Sequence, residues 1–198
     1  MLPLVTHGVV WRTLRQRRLE RLAAADKIEW TRASLYSLCL AAKRGRDVGP
    51  NPTDKGRPGS KHHLLVDREG LPFATAVTAA NVHEGRMLEP LPDAVVPVRT
   101  GRRGRPRRRP DKLHADKGSD YRRCRDACVQ RGIKHRIARK WIESKHRLGR
   151  HRWVVERTFA WLARYRRLII RCERLVAMHR AFLHLARAMV CWNSLLKL

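Results

Sequence analysis

Two acidic residues, Asp116 and Glu156, are the ones whose surroundings ask for chemistry. The chain holds 17 Asp+Glu against 45 Lys+Arg, a formal net charge of +28. A carboxylate among apolar neighbours must be paired, hydrogen-bonded or metal-bound. Asp116 follows a β-prone run in LHADKGSDY; Glu156 lies in HRWVVERTFAWL, among Trp153, Val154, Val155 and Phe159. Each has a plain alternative. Asp-Lys-Gly is good turn chemistry, so Asp116 alone reads as a turn or cap acid. Glu156 alone reads as an ion-pair partner of Arg152 or Arg157. Taken together, a strand-end carboxylate and one on a facing helix suit two Mg²⁺ ions ~3.5–4 Å apart. Such ions activate a water or a 3′-hydroxyl and stabilise the leaving oxygen in phosphodiester transfer.

The charge points the same way. A field of +28 calls for a polyanion, and nucleic acid is the first candidate. Ribosomal and membrane-surface proteins share this balance, so charge alone names a partner class and no reaction. Hydrophobic residues at 43% of 198 suffice for the core of one domain with an appendage. The 5 cysteines include no CxxC pair and are odd in number, which argues against a disulfide framework or a zinc site. No run approaches the ~20 apolar residues of a membrane span. The opening MLPLVTHGVVWRTLRQRR lacks the pattern of a signal peptide. The expected location is a reducing cytoplasm, with no membrane partner.

The elements that must position the two acids follow from pattern. Residues 1–15 show none, and 16–30 read as a basic amphipathic helix with Leu19, Leu22 and Ala23 on one face. Residues 33–42 (ASLYSLCLAA) read as a buried strand, and the Gly/Pro-rich stretch 43–61 as a loop. Runs 62–66 and 72–78 flank Asp67-Arg68-Glu69-Gly70 as a hairpin. Asn81 and Glu84 have capping-box spacing and predict a helix to about Leu91. Residues 99–110 (RTGRRGRPRRRP) are a basic loop without an apolar anchor. Strands are expected at 112–115 and 134–138, and helices from Asp120 to Gly132, over about 148–169 and over about 176–197. The sum is an α/β fold, a mixed sheet flanked by helices.

Three runs carry a resemblance: GPNPTDKGRPGSKHHLLVD (49–67), LHADKGSDYRRCR (113–125) and RLGRHRWVVERTFAWL (147–162). In this order they resemble DDE transposases of bacterial insertion sequences, the group with an IS4-like transposase domain, from about Ala25 to Leu196. The resemblance implies a ribonuclease H-like fold with a five-stranded mixed sheet. It implies that Asp116 is the second catalytic carboxylate and Glu156 the third, together holding Mg²⁺ or Mn²⁺, with two ions in the intact family. It matches Arg152, one helical turn before Glu156, to the family's signature arginine, in contact with DNA phosphate or orienting Glu156; a surface ion pair is the bland alternative. The family's first Asp belongs in a pattern R-A-S-x-D-S. Here the run is Arg32-Ala33-Ser34-Leu35-Tyr36-Ser37, with Tyr36 in that place. Residues 1–30 then read as the remnant of an N-terminal helical segment, and 31–198 as the DDE domain.

The basic segments are the candidate DNA contacts. Lys55, Arg57 and Lys61, with His62 and His63, lie beside the expected active-site strands. Arg102, Arg103, Arg105, Arg107, Arg108 and Arg109 fill the loop, whose Arg-Gly-Arg-Pro core resembles an AT-hook entering an A·T-rich minor groove. A disordered basic loop contacting phosphates alone is the favoured reading. The function expected is DNA transposition by metal-dependent strand cleavage and transfer, impaired by Tyr36. Its partners would be double-stranded DNA, as transposon ends and target, and a second copy of the chain during reaction. The alternative is a non-catalytic DNA-binding transposase remnant or an inhibitor of an intact transposase. A basic structural protein explains the charge but leaves the three runs unexplained.

Overall fold

The computed structural model describes residues 4–99, 103–142 and 145–196, with backbone alone at 4–12, 15 and 145–151. Helix α1 (Leu4–Ala24) leads into β1 (Ala33–Ala41), a two-residue β2 (Gly49–Pro50), β3 (Pro58–Asp67) and β4 (Pro72–Ala79). A short α2 (Pro90–Asp93), β5 (Lys112–Ala115), α3 (Arg122–Gln130), β6 (Lys134–Ile137), α4 (Lys145–Ala163) and α5 (Val176–Leu196) complete the chain. The order across the sheet is β2-β3-β1-β5-β6, with β4 also on β3. β1 pairs antiparallel with β3 and parallel with β5, so the sheet is mixed. This is the expected α/β class with a mixed sheet; it has six strands rather than the expected five because the two residues of β2 pair with the Pro58 end of β3.

Strand alternation sorts the core into two layers. Leu35, Leu65, Phe73 and Leu113 join Leu19 and Leu22 of α1 and Cys124 and Cys128 of α3 on one face. Tyr36, Leu64 and Val66 meet Val154, Val155, Phe159 and Leu162 of α4 and Leu183 and Val190 of α5 on the other. The hairpin turn between β3 and β4 is tied by Asp67, whose Oδ1 accepts from Leu71 N at 2.7 Å and Glu69 N at 2.9 Å. Its Oδ2 accepts from Glu29 N at 3.1 Å, which fastens the entry to β1. Burial pushes this carboxyl up to about 7, against those three N–H donors. Arg171, fully buried, donates to Asp47 O at 3.1 Å, Ser60 Oγ at 2.8 Å and Glu173 O at 3.2 Å, clamping the segment after β1 against β3 and the entry to α5.

Several elements differ from expectation, each for a local reason. α1 begins at Leu4, inside the stretch that shows no pattern, and ends at Ala24 rather than Trp30. β3 takes in residues 58–61, which composition assigns to a loop: Pro58 stands at the strand's first position, where a missing N–H costs no ladder bond, and Gly59 pairs with Ala41. The helix expected from Asn81 is only a 3₁₀ turn, Glu84–Met87, capped by the His83 side chain; Pro90 and Pro92 confine the α-turn that follows. α3 starts at Arg122 rather than Asp120, and α4 stops at Ala163. The basic loop does have an anchor. Val98 and Arg107 exchange backbone hydrogen bonds at 2.8 and 2.9 Å, and the Arg107 guanidinium lies 5.5 Å from the centre of the Trp30 ring.

Candidate active site at the end of the central strands

β1 and β5 run side by side to the pair Leu35–Ala115. The next residue on each is Tyr36 and Asp116, so a phenol and a carboxylate stand as neighbours at the C-terminal end of β5. Asp116 has a local task as well: its Oδ1 accepts from Gly118 N at 3.0 Å and caps the 3₁₀ turn Lys117–Ser119. The cap reading and the catalytic reading therefore describe one side chain. Its carboxyl is pushed up to about 7, first by burial and then by the charge and hydrogen bond of Glu84; Gly118 N and Arg152 act in the opposite direction.

Glu156 does not lie in apolar surroundings as its sequence neighbours suggest. Val154, Val155 and Phe159 turn inward, and the Glu156 side chain is 61% exposed. It is bonded to Arg152 Nε at 2.8 Å, the ion pair that the plain reading anticipates. Arg152 in turn places its guanidinium 5.9 Å from the centre of the Tyr36 ring. One arginine thus touches the electrostatics of Asp116, the face of Tyr36 and the carboxylate of Glu156, and puts all three on the α4 side of the sheet end.

Glu84 is the site residue that sequence reading missed. It comes from the 3₁₀ turn after β4 and accepts from Ser37 Oγ at 2.7 Å. A Cβ on Gly118 would stand 2.7 Å from Glu84 Oε2 and 3.1 Å from Asp116 Oδ1. The only sequence signal for Glu84 was its capping-box spacing, which assigned it to a helix start. The Asp116 and Glu84 carboxyl groups are hydrogen-bonded to each other; once the shared proton is lost, two oxygens so placed suit a hard divalent cation. Among the described residues, no group of three or more His, Cys, Asp and Glu is assembled to hold one. The neighbouring position on β1 carries the phenol of Tyr36.

The basic candidates divide by strand end. Lys55 and Arg57 are exposed beyond the Pro58 end of β3, beside the Ala41 end of β1 and so at the carboxylate end of the sheet. Arg57 lies 3.7 Å from Asp54. Lys61 is buried and donates to Val82 O at 2.8 Å, an internal contact that takes up its ammonium. Residues 103–109 precede β5 and lie at its opposite end, where Asp111 N donates to Trp30 O. There Arg107 pairs with Asp111, Arg108 donates to Asp93 O at 3.0 Å and Arg109 to Arg131 O at 2.8 Å. Arg103 and Arg105 are exposed and line, with Trp30 and Glu29, a cleft of about 780 Å³. Arg102 lies outside the described residues. Among the described residues no helix is long and apolar enough to cross a membrane.

Comparison with known proteins adds the following. Residues 25–191 match the family described as Transposase DDE domain. Over 148 residues the chain is 51% identical to "Putative transposase for insertion sequence element IS402" of Burkholderia cepacia, covering 75% of this chain and 70% of that one. Among solved structures, the catalytic core domain of BIV integrase aligns at 14% identity and TM-score 0.40, over 80% of this chain and 81% of that one. The Mos1 transposase paired-end complex with left transposon end aligns at 12% identity and TM-score 0.35, over 76% of this chain and 55% of that one.

Proposed function

Because the chain belongs to the Transposase DDE domain family, we propose that its chemistry is DNA transposition: cleavage of a phosphodiester at a transposon end, then joining of the freed 3′-hydroxyl to target DNA. Asp116 and Glu156 are the metal-holding carboxylates on this reading. The divalent ions they hold supply activation of the attacking oxygen and stabilisation of the leaving one. Arg152 orients Glu156 and offers its guanidinium to a phosphate oxygen. Lys55 and Arg57 draw the DNA backbone to the carboxylate end of the sheet, and Arg103 and Arg105 hold it at the other end. A second copy of the chain joins when two ends are processed together. The observation that carries the reading is the position of Asp116, directly after the last residue of β5 and linked through Arg152 to Glu156 on α4.

Tyr36 limits the activity. A phenol is neutral near pH 7 and is a poor ligand for Mg²⁺, so Asp116 with this position would hold such an ion weakly. The second reading, a DNA-binding chain that occupies ends without cutting or that inhibits an intact transposase, is favoured by that same residue. One experiment separates the two: incubation of the chain with Mg²⁺ or Mn²⁺ and DNA bearing the element's terminal repeats, reading binding and strand cleavage together. Slow cleavage that Glu156→Gln abolishes supports the catalytic reading. Tight binding without any cleavage supports the second, and failure to bind DNA at moderate salt excludes both.

A further inference from the structure

We propose that Glu84 is a metal ligand of this site, working with Asp116 in place of the carboxylate that β1 lacks; the inference rests on the transposase reading above. Ser37, the residue after Tyr36, delivers it. Ser37 Oγ donates to Glu84 Oε1 at 2.7 Å, which leaves Oε2 turned towards Asp116. Glu84 Oε2 and Asp116 Oδ1 flank the same point above Gly118, at 2.7 and 3.1 Å from where a Cβ would stand. Glycine is what allows both oxygens there, because a side chain would collide with them. Asp116 Oδ1 accepts from Gly118 N at 3.0 Å, and the Asp116 and Glu84 carboxyl groups are hydrogen-bonded to each other. The two acids are thus held together in a chain with 45 Lys+Arg available to separate them.

The surroundings contain further polar atoms that protein partners do not satisfy. His63 faces Ser37 across the β1–β3 register, is fully buried and lies within the electrostatic reach of Glu84. Its Nδ1 has no hydrogen-bond partner, and neither has Ser119 Oγ, buried three residues beyond Asp116. Buried groups of this kind are ordinarily satisfied by water or an ion. A hydrated divalent cation on Glu84 and Asp116 brings both charge balance and bound water to this end of the sheet.

The test is Mn²⁺ titration of the full chain by calorimetry, with melting in EDTA and in Mn²⁺, for the wild type, Glu84→Gln, Glu84→Asp and Asp116→Asn. Loss of Mn²⁺ affinity by about tenfold or more in both Glu84→Gln and Asp116→Asn supports the assignment. Partial retention of Mn²⁺ affinity in Glu84→Asp supports it further. Wild-type affinity in Glu84→Gln with loss in Asp116→Asn overturns the assignment and leaves the transposase reading standing. So does a Glu84→Gln protein that melts lower in EDTA yet binds Mn²⁺ as before, which marks a structural role. Unchanged binding in Asp116→Asn, or a wild type that takes up no Mn²⁺, overturns both.

Discussion

His62 and His179 meet ring to ring, Nε2 to Nε2 at 2.8 Å, and Glu173 reaches His179 Nδ1 at 3.1 Å. One Nε2 must donate and the other accept, so the pair has no room for a proton on both. Burial pushes His62 down to about 3, with help from His179, His63 and Arg171; His63 is pushed down to about 4 by burial and then by Lys61. Their folded pKa values lie below the ordinary 6.5, so the unfolded chain takes up protons first as pH falls. The stabilisation is complete above about 6.5 and is lost towards 4, by ~1.4 kcal/mol per group per pH unit. Asp116 and Asp67 act oppositely: each raised carboxyl contributes most at low pH and loses that contribution as pH rises towards about 7. The two effects oppose each other between pH 7 and pH 5, so the histidine contribution is read by difference: the urea midpoint of His62→Asn is expected to lie closer to that of the wild type at pH 5 than at pH 7. An equal gap at the two pH values would show that His62 does not stay neutral. None of this pairing is visible in sequence, since positions 62 and 179 meet only because α5 crosses β3. The same holds for Glu84, which local spacing assigned to a cap and tertiary contact assigns to Asp116. Glu156 errs the other way: its neighbours in sequence are apolar, but helical phase turns it outward with Arg152.

Among the elements, the strands were the most legible. β1, β4, β5 and β6 stand within a residue or two of where apolar runs and turn residues put them. Where extent or type was misread, the cause was a residue with two uses, such as Pro58 opening β3 and Pro90 and Pro92 ending what capping-box spacing promised as a helix. The segment between β1 and β3 owes its shape to Arg171, whose guanidinium serves backbone carbonyls at 46, 47 and 173 as well as Ser60 Oγ. Arg171→Leu removes the charged donor from these part-buried carbonyls, of which Asp47 O alone keeps the bond from Ser60 Oγ, and should cost on the order of 3 kcal/mol or more. Equilibrium urea unfolding measures that cost. Because the segment leads to Lys55 and Arg57, weaker DNA binding should accompany it. A loss below about 1 kcal/mol would mean that the clamp is dispensable.

The whole molecule carries its cations at both ends of the sheet, Lys55 and Arg57 beside the carboxylates and Arg103 and Arg105 across from them. A duplex engaging both must run along the strands or be touched twice. Charge composition calls for a polyanion but does not reveal this division, because it depends on which end of β5 each loop leaves from. Arg103→Ala with Arg105→Ala should lower the slope of log affinity against log salt by ~2 on duplex DNA. Mn²⁺ binding should not change. An unaltered slope would remove the loop from the DNA-contacting surface.

The central claim is that Asp116 and Glu156 are two carboxylates of a DDE site that Tyr36 leaves incomplete. The most direct measurement is nicking of terminal-repeat DNA in Mn²⁺ by Tyr36→Asp, beside the wild type and the double variant Tyr36→Asp with Glu156→Gln. Nicking that rises in the single variant and vanishes in the double is the predicted result. Nicking by Tyr36→Asp that survives loss of Glu156, or a single variant that stays folded, binds the DNA and still does not cut, would contradict it.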